Sequence, residues 1–116
     1  MIDVYGIKNC DTMKKTFKFL DAAGVDYIFH DYKKSGFDAA VIKRAIEMHG
    51  WEVVINKRGT TWRKLEDNVK NTMDAAAAVE TAAENPSLLK RPLVVFKDQI
   101  LIGYDEEALQ ALIQTT

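Results

Sequence analysis

An α/β fold with a mixed four-stranded sheet and an inserted helical segment is predicted by three observations. Apolar stretches at residues 1–5 and 27–32 flank a single amphipathic helical stretch, the pattern of two parallel strands joined by a helical crossover. Two further apolar runs, 93–96 and 100–102, are separated only by Lys97-Asp98-Gln99 and read as an antiparallel hairpin that leads into a last helix. Between these two units, residues 38–90 are mostly helical in pattern, which makes them an insertion rather than part of the sheet.

Each element has a local reason. In the first strand, Ile2 and Val4 fall on one side. Helical spacing begins at Asp11, with Met13, Phe17, Leu20 and Ala23/Gly24 as the apolar stripe and Lys14, Lys15, Lys18 and Asp21 opposite. Asp11 or Thr12 is placed to cap this helix, and Gly24 suits its exit. Residues 27–32 alternate aromatic and polar side chains and are rich in strand formers. A polar turn is expected over 33–36. Asp38 then opens a second helix with Val41, Ile42, Ala45 and Ile46 inward and Gly50 at its end. A short apolar piece over 51–55 and a loop over 56–61 follow. The alanine-rich stretch 74–84 needs no explanation beyond helix propensity, and Asn85-Pro86 stops it. Asp105, Glu106 and Glu107 put negative charge on the first turn of the last helix, which turns Ala108, Leu109, Leu112 and Ile113 inward. No repeat or linker divides the chain, so residues 1–116 read as a single domain with a helical insertion over about 38–90.

Composition narrows the function classes. A chain of 116 residues, 47% hydrophobic, can build a core without disulfide staples. Its formal net charge of -1 offers no overall pull toward nucleic acid or an anionic membrane, so neither is an expected direct partner. The single cysteine cannot form an internal disulfide. Two histidines far apart in sequence supply no metal-ligand spacing, and no metal is expected. The apolar runs are too short to span a bilayer and no N-terminal signal is evident. The expectation is therefore a cytoplasmic monomer with a reduced thiol.

The chemistry centres on Gly6-Ile7-Lys8-Asn9-Cys10-Asp11-Thr12, a strand-to-helix turn. There the first N–H groups of the helix lack internal partners and the peptide dipoles leave about half a positive charge. A thiolate at that place is stabilised, so the thiol should titrate below its usual value of roughly 8.5. Lys8, Lys14 and Lys15 push the same way, and Asp11 opposes them. Position alone leaves two readings open: a reactive thiolate, or a small buried hydrophobe. His30 reads as a satisfied strand histidine, His49 as a residue at a helix C-terminus, and Trp62 as a packed aromatic at a basic helix start. One aromatic among cations in a nearly neutral chain is poor support for nucleic-acid binding.

A βαβ unit followed by a ββα unit, with a cysteine at the first helix N-terminus, is the thioredoxin arrangement. In that architecture the residue before a cis-proline enters the third strand facing the cysteine. Arg91-Pro92 stands directly before 93–96, so a cis peptide is expected at Pro92.

Four blocks carry a resemblance: residues 5–12, His30-Asp31-Tyr32, residues 56–65, and Lys90-Arg91-Pro92-Leu93. Together they resemble the ArsC/Spx/YffB family of thioredoxin-like proteins, its YffB-type branch in particular. The resemblance implies a thiol-dependent reductase related to glutaredoxin-coupled arsenate reductases, with Cys10 as nucleophile and Arg58 and Arg91 holding an oxyanion. Lys8 and Thr12 join the anion-binding set. Guanidinium forks suit such anions on physical grounds as well. Arsenate reductases of the family carry a histidine where this chain has Gly6 and a third arginine where it has Gly103, so only two clamps carry over. Met13 occupies the second position of a Cys-x-x-Cys motif. A mixed disulfide on Cys10 therefore needs an external thiol, with glutathione as expected co-substrate, no bound cofactor, and glutaredoxin as a possible partner. The expected substrate is a small oxyanion or a disulfide. The alternative the resemblance implies is an Spx-like regulator that contacts RNA polymerase without catalysis.

Overall fold

A computed structural model describes residues 1–32, 34 and 38–115. The expected turn over 33–36 lies, apart from Lys34, outside them. The chain divides into two compact units, residues 1–36 with 91–116, and residues 37–90.

The first unit is built on a sheet of order β2-β1-β3-β4. Strand β1 (Ile2–Gly6) runs parallel to β2 (Tyr27–Asp31), with Val4 opposite Phe29 and Gly6 opposite Asp31. Strand β3 (Leu93–Phe96) is antiparallel to both β1 and β4 (Gln99–Ile102). The sheet is thus mixed and four-stranded, and the molecule has the thioredoxin-like fold. Phe96 pairs with Gln99, so Gln99 belongs to the strand rather than to the link assigned from sequence. The turn tightens to Lys97-Asp98 because Lys97 takes a left-handed φ of 55°.

Helices α1 (Asp11–Ala22) and α7 (Glu106–Ile113) supply the rest of this unit's core. Ile2, Val4, Met13, Leu20, Val94, Phe96, Leu109 and Leu112 form one buried cluster. Helix α1 also buries Thr16, whose hydroxyl donates to the carbonyl of Thr12 at 2.9 Å and so is carried into the core with its bond satisfied. Asp105 caps α7 by accepting from Ala108 N–H, which places it just before the helix rather than in its first turn. On the other face of β1, His30 Nε2 meets Asp3 Oδ1 at 2.8 Å, and Tyr5 stacks on the imidazole.

The second unit is helical: α2 (Ala39–His49), α3 (Trp51–Val54), α4 (Thr60–Arg63), α5 (Asp67–Asn71) and α6 (Ala75–Glu84), then a 3-10 turn at Pro86–Leu88. Asp38 and Asp74 cap α2 and α6 through Val41 and Ala77 N–H. The buried face of α2 is Val41, Ile42, Ala45 and Ile46. The piece over 51–55 is a helical turn ending in an isolated antiparallel bridge between Ile55 and Leu89. The loop expected over 56–61 is shorter, because α4 already begins at Thr60.

Candidate active site

Cys10 follows the end of β1 by four residues, and the first helical residue is Asp11. The cysteine itself is therefore the N-cap, with extended backbone at φ -137° and ψ 131°. The expected caps, Asp11 and Thr12, lie inside the helix: with Cys10 still extended, helical dihedrals begin at Asp11. A neutral thiol is a weak acceptor and forms no regular cap bond here. A thiolate is a different acceptor.

Partial burial pushes the Cys10 thiol up, but hydrogen bonds outweigh it. Met13 N–H, the Arg91 side chain and Thr12 N–H all favour the charged sulfur, Arg91 adds its positive charge, and the thiol lies below its ordinary value. The cation that acts is thus Arg91. Lys8, Lys14 and Lys15 are exposed, where solvent screens them. Thr12 enters the site through its backbone rather than its hydroxyl.

Arg91 is positioned by the chain that follows it. The Arg91–Pro92 peptide is cis, Pro92 is buried, and Leu93 after it pairs with Tyr5 of β1. Strand β1 delivers Cys10 at its end and strand β3 delivers Arg91 at its start. Antiparallel pairing of the two strands puts these ends together. Within the first unit the structure therefore assembles Cys10, Thr12 and Arg91, with Met13 as a donor the sequence reading had assigned only to the core. Its role could have been read from its place three residues past an N-cap.

Arg58 belongs to the second unit and is exposed. Its turn is organised by Asn56, whose side-chain oxygen accepts from Arg58 N–H at 3.2 Å and whose carbonyl accepts from Gly59 N–H at 3.2 Å. Asn56 is itself tied down by its N–H on Leu88 O at 2.8 Å. Beside it, Lys57 Nζ lies 5.4 Å from the ring centre of Trp51 and 5.7 Å from that of Trp62. Trp62 is half-buried and stacked on Trp51, in keeping with a packed aromatic. No group of three or more His, Cys, Asp and Glu among the described residues could hold a metal ion.

Residues 5–112 match the profile of the ArsC family. The chain belongs to the ArsC family. A protein of Haemophilus influenzae described as uncharacterized is 46% identical to it over 111 residues, with 96% of this chain and 97% of that one covered. A solved structure described as a YffB protein is 42% identical and superposes with a TM-score of 0.92, covering 96% of this chain and 97% of its own. These similarities place the ArsC-family chain in the YffB-type branch. A global transcriptional regulator Spx of Streptococcus agalactiae is 25% identical over 115 residues, spanning 97% of this chain and 83% of the regulator. No helix among the described residues of this ArsC-family protein is long and apolar enough to cross a membrane.

Proposed function

We propose that this ArsC-family protein is a glutathione-dependent thiol reductase in which Cys10 is the nucleophile. The observation that supports it most is the convergence of Met13 N–H, Thr12 N–H and the Arg91 guanidinium on one sulfur. Such an arrangement raises the thiolate fraction near neutrality and leaves a fixed cation beside the reacting atom. In the cycle, Cys10 thiolate attacks one sulfur of a disulfide. The S–S bond breaks, the departing thiolate takes a proton from solvent, and a mixed disulfide remains on Cys10. A glutathione thiolate then attacks that disulfide and restores Cys10 as thiolate, with glutathione oxidised. Arg91 binds the anionic part of the substrate, and Arg58 is the second anion-binding residue that the family resemblance implies. Lys8 adds an exposed positive charge. With arsenate, the same sulfur would bond to arsenic with loss of water, and external thiols would supply two electrons as they pass to a disulfide, directly or through glutaredoxin.

The test is turnover of a glutathione mixed disulfide and of arsenate in a glutathione-coupled assay, with intact mass measured on the protein. Activity with a glutathione adduct on Cys10, both lost in Cys10→Ser, is the expected result. Full activity in Cys10→Ser would overturn it. A second reading, a polymerase-binding regulator, draws on the similarity to Spx. Pull-down of polymerase subunits by Cys10→Ser as efficiently as by the natural protein, with no thiol turnover, would put it first.

A further inference from the structure

Gly6 closes β1 and is buried, while Met13 is 0% exposed in the first turn of α1. A Cβ built on Gly6 would stand 2.6 Å from Met13 Sδ and 2.7 Å from its Cε. No carbon tolerates such distances, so the thioether occupies the space a side chain at position 6 would need. Gly6 is not among the glycines with positive φ, so its backbone conformation would accept any residue. The room it leaves is what matters. Met13 is also the third residue after the Cys10 N-cap, and its N–H favours the charged sulfur. A methionine side chain has three rotatable bonds and adapts to irregular gaps. Here one end of the residue is clamped under a strand and the other points its amide at the nucleophile.

We propose that the Gly6–Met13 contact is a positioning device for Cys10: glycine at position 6 admits the thioether, and the thioether, locked in the core, sets the first turn of α1 so that its N–H groups reach the sulfur. The inference rests on the thiolate reading above. A side chain on residue 6 requires the Met13 thioether to shift, and on this proposal the turn that carries the donors shifts with it because the thioether is fully buried. Met13 thus acts through its backbone on Cys10 and is a positioning residue.

The experiment is the alkylation rate of Cys10 by iodoacetamide against pH, with glutathione alkylated in parallel as the free-thiol standard. Four chains are compared: the natural protein, Gly6→Ala, Gly6→Ala with Met13→Val, and Leu109→Val. Valine lacks the atoms that an added methyl at position 6 would strike, so the double variant should refill the same space. Leu109 lies in the same core on α7, and controls for general destabilisation. The expected result is a midpoint raised by about half a unit or more in Gly6→Ala, a threefold fall in thiolate fraction below the midpoint. It should return toward the natural value in the double variant and stay unchanged in Leu109→Val. A natural midpoint as high as that of glutathione would sink the thiolate reading itself. A low natural midpoint that Gly6→Ala leaves in place, or that Leu109→Val raises equally, would sink the positioning role alone.

Discussion

The N–H of Gly103 donates to the carbonyl of Pro92 at 2.8 Å, binding the end of the β4 edge to the proline that follows Arg91. Gly103 holds a φ of +80°, and nothing lies within 4 Å of where its Cβ would be. Strain there is therefore purely conformational. Gly103→Ala and Gly103→Arg should each lose about 1–2 kcal/mol in urea denaturation, and Gly103→Asn less, because asparagine tolerates the left-handed region. Equal losses in the alanine and arginine variants would show that backbone strain, rather than side-chain size, opposes an arginine at this position.

Arg91 offers Cys10 both a hydrogen bond and a charge. Arg91→Ala removes both and should move the alkylation midpoint of Cys10 upward. Arg91→Lys keeps the charge without the planar fork and should fall between. A midpoint unchanged in both variants would remove Arg91 from the site.

The lowered Cys10 titration also makes a stability prediction. Between the folded value and the ordinary unfolded value the unfolded chain binds more protons, so stability rises with pH across that window. The thiolate's contribution is full above the unfolded value and is lost as pH falls through the folded one. Serine is a strong N-cap and does not titrate there. Cys10→Ser should therefore be more stable than the natural chain in acid by about 1 kcal/mol, with the difference shrinking as pH rises. Urea midpoints at several pH values check it.

Tyr5 lies on His30 with ring centres 4.4 Å apart and planes within 13°, and Asp3 holds the same imidazole. The pair is about one-third exposed on each side, which limits its worth. Asp3→Ala should lose at most about 1 kcal/mol, reduced further by salt. Tyr5→Ala should lose more, since ring contact adds about 0.5–1.5 kcal/mol beyond area burial. Chemical denaturation at low and high salt separates the two.

What could be read from residues alone follows physical range. The opening of α2 at Asp38, the inward faces of α2 and α7, and the β1–α1–β2 crossover rest on contacts within a few residues, where spacing is informative. Helices α4 and α5 lie in a stretch that reads only as mostly helical, without bounds, because four or five residues are too few to display a helical period. Thr16 was missed because a hydroxyl that bonds its own helix looks polar in sequence and behaves as apolar in the core. At the site, Cys10 and Arg91 stood out through a strand-to-helix turn and an Arg-Pro pair. Arg58 drew its interest from resemblance, and its local reason, the turn around Asn56, emerges only from coordinates. The fit of Met13 under Gly6 was invisible, since it depends on the angle at which a helix leaves a strand.

The first turn of α1 depends on the ionisation of the residue that precedes it. When Cys10 forms a mixed disulfide, its negative charge disappears and the N–H groups of Met13 and Thr12 lose the partner that the free thiolate gave them. The reduced protein is thereby a good leaving group, and its adduct sits higher in free energy than that of an ordinary thiol. Such a bond has a more oxidising reduction potential, so the fold itself favours handing the adduct on to the next thiol.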